Sequence, residues 1–242
     1  MMLPVIWLGI CILVSSTIEA ITGFGSIVIA LALGALLLPI SAMLPILVPL
    51  NIFMTGTIAW KNRHHIDKTL LLKLVLPLMA AGTVAGYLLR PWLGENLLKM
   101  LLGSLIVWFA LRELWRLWRH VASHPHSKWL SRVLTFAAGI THGLFASGGP
   151  LLVYAMAGTK LDKGSLRATL VTVWFSLNAG LTLVFLLDGT LIPVLPRVAI
   201  YLPVLGVGYL LGDFLHHRLD ERRFRQLVYM LLVATGFALI AR

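Results

Sequence analysis

Glu19-Ala20-Ile21-Thr22-Gly23-Phe24-Gly25-Ser26 and Gly143-Leu144-Phe145-Ala146-Ser147-Gly148-Gly149-Pro150 are the stretches that decide how this chain folds. Each is an apolar run broken by glycines. Open backbone at bilayer depth is tolerated only where protein or a watery cavity surrounds it. Gly25 and Gly148 are 123 positions apart, and the two breaks occupy corresponding places in the two halves of the chain. Paired interruptions of this kind point to the substrate site of a membrane carrier.

The composition supports a membrane setting. The 242 residues are 59% hydrophobic and only 12% charged, and the mean hydropathy is +0.93. A soluble domain carries about 25% charged residues. Runs near 42–60, 69–90, 97–115, 167–187, 191–211 and 226–241 approach the roughly 20 apolar residues needed to cross a bilayer. No polar stretch is long enough for a second domain, so residues 1–242 read as one all-helical membrane unit. The net charge of +11 does not signal nucleic acid. Its lysines and arginines lie in short tracts between apolar spans, which is an orientation signal. Cys11 stands alone and excludes a disulfide framework within the chain. The first apolar run has no Lys or Arg ahead of it, unlike a cleaved signal peptide.

The halves read as repeats. Repeat one covers 3–115 and repeat two covers 133–242, joined by a basic connector over 116–132. In each, a broken segment (3–38 and 133–157) precedes three spans. Asn51 matches Asn178 and Thr55 matches Thr182, both pairs 127 apart, and Gly86 matches Gly212 at 126. Charge chooses the topology. If each broken segment is a hairpin that enters and leaves on one side, Arg90, Lys99, Arg197 and Arg242 face one side. The other 16 of the 20 basic residues face the opposite, cytoplasmic side. If the segments simply cross, the bias vanishes. One hairpin plus three crossings inverts the second half. Both termini then face outward, and the two hairpin tips approach the midplane from opposite faces.

The candidate site residues follow. Gly23, Phe24, Gly25 and Ser26 form one tip, and Ser147, Gly148 and Gly149 form the other. A helix restarting at such a tip turns its free N–H groups toward an anion. Pro150 suits a first helical turn because its missing N–H is unneeded there. Glu19 and His142, again 123 apart, are ionisable groups inside apolar segments and are candidates for proton coupling. A mutually satisfied pair or a buried neutral imidazole competes evenly with that role. Asn51, Thr55, Asn178 and Thr182 share helix faces at four-residue spacing. They suit substrate binding, although hydrogen bonding between helices is the commoner use of such residues. Arg167 opens a span and is a candidate for anion steering, against ordinary interfacial anchoring. His120, His124 and His126 lie in the basic connector and read as solvated linker rather than a metal site. The tryptophans at 108, 115, 118 and 129 suit an interfacial belt.

The first glycine motif and its flanks, Glu19 to Ala30, resemble the sulfite exporter TauE/SafE family of membrane permeases. Gly143 to Pro150 resembles the family's second motif, and Asn51 to Asp67 and Arg167-Ala168-Thr169 also fit. The resemblance spans essentially the whole chain. It implies a multi-pass inner-membrane transporter of small anions such as sulfite, sulfonates and related organic acids, with export as the usual direction and no cofactor. The first motif ends in Ser26 where the richest members have a further glycine, which leaves the particular anion open.

The leading expectation is a secondary transporter working by alternating access, with the bilayer and a small anion as partners and room for a homo-oligomer. No P-loop offers direct ATP drive. A passive anion channel is the first alternative. An intramembrane serine hydrolase built on Ser147 is a weaker one, because His142 lies five residues earlier on the same segment and the first break has no serine in the matching place.

Overall fold

The computed structural model describes residues 2–22, 25–119, 127–156, 162–216, 218 and 220–241. Gly23, Phe24 and the three connector histidines lie outside the described residues. Eleven helices carry the described chain, with short 3-10 turns between some of them. They are α1 (Met2–Thr22), α2 (Ser26–Gly34), α3 (Ile40–Lys61), α4 (Lys68–Leu70), α5 (Leu76–Leu89) and α6 (Glu95–Arg119), followed by α7 (Lys128–Phe145), α8 (Gly149–Ala155), α9 (Lys163–Leu187), α10 (Leu195–His216) and α11 (Glu221–Ile240).

Six segments are long and apolar enough to cross a membrane: Met2–Thr22, Ile40–Lys61, Lys68–Trp92, Gly164–Leu187, Ile192–Leu215 and Arg223–Ile240. Their outer faces carry bare hydrophobic side chains, among them Leu88, Leu183, Ile200 and Leu210. Water would penalise such a surface, whereas acyl chains do not. The span expected over 97–115 does form a helix, α6, of 25 residues. It is not among the six, because Glu95, Lys99, Arg112, Glu113, Arg116 and Arg119 dilute its apolar character. α6 runs to Arg119 and α7 starts at Lys128, so helix extends into both ends of the basic connector expected over 116–132. Trp115, Trp118 and Trp129 are exposed at these helix ends.

The chain divides into two compact units. The first comprises 1–47, 93–122 and 196–242; the second comprises 48–92 and 123–195.

In the first unit the expected break reverses the chain. The Trp7 indole N–H, early in α1, donates to the carbonyl of Leu33 at the end of α2 over 3.2 Å. A continuous helix would separate those residues by about 39 Å at 1.5 Å per residue. Gly25 makes the reversal with φ of 99°, a left-handed conformation that glycine adopts without a Cβ penalty. Across the unit, α10 packs on α1. The Tyr201 hydroxyl donates to the Val5 carbonyl over 2.8 Å, and Gly208 and Gly212 press on Ser16, Thr17 and Ala20.

The second unit has a matching reversal. Ala146, at φ 50°, ends α7, and Gly148 turns back against the Ala138 carbonyl. α5 lies along α7 with almost no side chain between them. A Cβ on Gly82 would stand 2.9 Å from the Gly139 Cα, and one on Gly143 would stand 2.9 Å from the Gly86 carbonyl carbon. Small residues let membrane helices approach this closely, and packing then replaces the hydrophobic drive that lipid cannot supply. Gly82 and Gly86 precede Gly208 and Gly212 by 126 positions, and Ser16 and Ala20 precede Gly139 and Gly143 by 123. The two seams therefore use matching residues, and each joins a helix of one half to the hairpin of the other.

Between α4 and α5 the backbone widens into a π-helical stretch, Leu71–Val75. Pro77 lies in the first turn of α5. It has no N–H to return to the preceding turn and its ring crowds the carbonyl there, which favours the wider register. Leu71, Val75 and Met79 then fill a core with Ala138 of α7, Leu152 of α8 and Val173 of α9. That core fixes the hairpin of the second unit against α9.

Candidate substrate site

His142, one turn before the reversal, is fully buried, and neither ring nitrogen has a hydrogen-bond partner. Its imidazole stacks on the Trp174 indole of α9, with centroids 5.9 Å apart and planes 19° from parallel. The far edge of the same indole reaches the restart of the hairpin: a Cβ on Gly149 would stand 3.6 Å from Trp174 Cζ2. Trp174 thus connects the histidine to the tip.

One and two turns further along α9 come Asn178 and Thr182, on the same helix face as Trp174 by their four-residue spacing. Asn178 is 1% exposed and donates its Nδ2–H to Asn51 Oδ1 on α3 over 2.8 Å. Its own Oδ1 has no partner, and neither does Thr182 Oγ1. Thr55 is also buried, but its hydroxyl donates to the Asn51 carbonyl in its own helix. On α5, Thr83 is a further buried hydroxyl without a partner; its carbonyl lies against Gly143, next to His142.

The structure therefore gathers His142, Ser147, Gly148, Gly149, Asn51, Thr55, Asn178 and Thr182 in the second unit. It adds Trp174 and Thr83, which sequence reasoning missed. Trp174 had one legible signal, its four-residue spacing ahead of Asn178 and Thr182. Ser147 and Gly148 are buried and Gly149 is partly exposed. The helix restarts at Gly149 with Pro150 in its first turn, as the sequence suggested, but α8 is only seven residues long. Gly25, Ser26 and Glu19 belong to the first unit. There α2 restarts at Ser26, and both Ser26 and Glu19 are buried.

The interhelical bond that competed with substrate binding at Asn51 and Asn178 is present. Arg167 is exposed at the start of α9. Two positions on, Thr169 is buried, and its hydroxyl accepts the Asp67 backbone N–H over 3.0 Å, tying the loop after α3 to α9. Ser147 and His142 form no nucleophile–base pair, since neither imidazole nitrogen is hydrogen-bonded.

Apolar spans, chain reversals at the two breaks and a buried polar row with unused hydrogen-bonding capacity are the features of a multi-pass membrane protein. The chain belongs to the sulfite exporter TauE/SafE family, which matches residues 8–239. It is similar to a probable inner membrane transporter protein, TsaS, of Comamonas testosteroni, with 26% identity over 170 residues, 68% of this chain and 69% of that one. No solved structure matches it. The chain is accordingly a multi-pass membrane transporter rather than an enzyme.

Proposed function

We propose that this transporter is a secondary carrier that exports a small oxyanion, with sulfite and organic sulfonates as the leading candidates. One observation carries the reading. Thr83 Oγ1, both nitrogens of His142, Asn178 Oδ1 and Thr182 Oγ1 are buried in the second unit without partners. An unpaired buried polar group costs about 1–3 kcal/mol. A fold that keeps several together supplies them with water or with a guest. The threonine hydroxyls and an imidazole N–H are donors suited to an oxyanion, and the sulfite exporter family supports that class of substrate.

The carrier works by alternating access between two inverted repeats, residues 3–115 and 133–242. The matched seams of α5 on α7 and α10 on α1 support the repeat. The charge asymmetry of the loops supports termini that face outward. The restarts at Ser26 and Gly149 contribute backbone N–H groups to the transport path. His142 is the candidate for proton coupling in the second unit and Glu19 in the first.

Counterflow in proteoliposomes against sulfite, sulfonates and carboxylates tests this reading. Saturable flux accelerated by substrate on the far side is expected. Flux that is linear in substrate and indifferent to the far side would make the protein a pore. A C-terminal reporter active only in the cytoplasm should stay silent; a signal would refute the inverted topology.

A further inference from the structure

A carrier for anions must balance the charge of its cargo inside the membrane, and this protein has very little with which to do so. Among the described residues, the buried polar and charged side chains include no lysine and no arginine. They include one carboxylate, Glu19 in the first unit, and one imidazole, His142 in the second. His142 is thus the buried side chain that can become a cation beside the unpaired polar row.

Its surroundings suit that change. Both nitrogens lack partners, so one can receive a proton while the other donates to a guest. The stacked Trp174 offers a π face, which attracts a cation. At the far end of α9, one turn beyond Thr182, the Arg90 guanidinium lies 5.8 Å from the Phe185 ring centroid and is offset by the Asp188 carboxylate. On α7 itself the nearest basic residue is Arg132, ten residues and about 15 Å along the helix. α5 carries no charged residue, and its titratable side chain, Tyr87, is bonded to Asp188. α8 offers only the phenol of Tyr154. Between Ala168 and Leu187, α9 has no ionisable side chain; Arg167 and Asp188 stand at its two ends.

We propose that the cargo is a monoanion that travels with one proton on His142, so that the loaded site is neutral and each transfer moves no net charge. This rests on the carrier reading above. The proton comes from water on the loading side, joins the free ring nitrogen as the anion binds, and leaves to water on the far side with the anion. A dianion would keep one uncompensated negative charge beside His142, because Arg90 at the far end of the row is already offset by Asp188, and burying such a charge is prohibitive.

Sulfonates test this cleanly, because their charge is fixed across the working pH range. Wild-type protein in proteoliposomes with an internal pH dye and a potassium–valinomycin clamp is offered methanesulfonate and benzenesulfonate as monoanions, then sulfate and 1,2-ethanedisulfonate as dianions. The monoanions should enter with one proton each, at rates unaffected by the membrane potential. The dianions should move about a hundredfold more slowly. His142→Gln, compared at matched melting temperature, should lose accumulation driven by the pH gradient. Dianion flux within tenfold of monoanion flux, or monoanion flux that follows the potential, overturns the proposal while leaving the carrier intact. If no anion in this panel or in the counterflow panel moves faster than in protein-free vesicles, the carrier reading itself falls.

Discussion

Asn178 and Asn51, 127 positions apart in the chain, meet each other: the Asn178 amide donates to Asn51 Oδ1 over 2.8 Å, inside the protein. Such bonds between membrane helices contribute about 0.6 kcal/mol on average and up to about 1.7. A double-mutant cycle of Asn51→Ala and Asn178→Ala, read by unfolding in detergent, should return a coupling within that range. A coupling of zero would mean that the α3–α9 contact relies on packing alone.

The unpaired polar groups set stability against activity. His142→Phe and Thr182→Val remove buried atoms that have no hydrogen-bond partner. Each should raise stability by about 1 kcal/mol, or leave it unchanged. Both should depress counterflow severely. Melting temperature and flux measured on the same preparation check this, and a fall in both would make the groups structural.

The α5–α7 seam should tolerate almost nothing. Gly143→Ala places a methyl against backbone atoms of α5, with Tyr87 N at 2.6 Å. Forcing the helices apart should cost about 1–3 kcal/mol. Gly180→Ala is the contrasting case. It lies in α9 with nothing within 4 Å of its added Cβ, and should stabilise by about 0.5–1 kcal/mol. Equal melting temperatures for the two variants would contradict the seam.

The two breaks should respond with opposite sign. Gly25 has φ of 99° and Ala146 has φ of 50°. A non-glycine residue in left-handed geometry is strained by about 1–2 kcal/mol. Gly25→Ala should therefore destabilise and Ala146→Gly should stabilise, as read by thermal unfolding.

Asp188, just beyond α9, gives an acid-side prediction. Its partial burial raises the carboxyl, but the Thr190 hydroxyl, the Tyr87 hydroxyl, the Thr190 N–H and nearby Arg90 outweigh it and hold the group below its usual 3.8. A depressed folded value means that the stabilisation is complete above pH 3.8 and disappears as pH falls through the lower value. Asp188→Asn should lower the melting temperature at neutral pH and flatten its decline in acid. An unchanged acid limb would separate the carboxylate from the stability of this corner.

The breaks were legible in the sequence because glycine, proline and serine act locally: the restarts at Ser26 and Gly149 follow from residue type alone. The proposed repeat is argued from identities 123 to 127 positions apart, and the matched seams of α5 on α7 and α10 on α1 support it. Trp174 was hard to see because a tryptophan in an apolar span resembles lipid-facing or core residues until its contact with His142 is known. Thr83 was missed for the same reason, since an unpaired hydroxyl is a property of neighbours rather than of sequence. Thr55 was weighed between substrate binding and a bond between helices; its hydroxyl donates to the helix carbonyl four residues back, a local contact always within a threonine's reach. α6 kept its helix but not its apolarity, because its charges gather at its ends, where a count of apolar residues over the middle does not register them.

Tyr201 reaches back 196 residues to bond Val5. Ribosomes add about 5–20 residues per second. The first hairpin therefore waits roughly 10–40 s in the translocon's vicinity for the helix that seats it. During that interval Gly208 and Gly212 do not yet exist, and the Ser16–Ala20 face of α1 is open to any passing membrane segment. Biogenesis of this protein consequently depends on a holding factor, or on lipid alone, to keep its earliest helix single until its late partner is made.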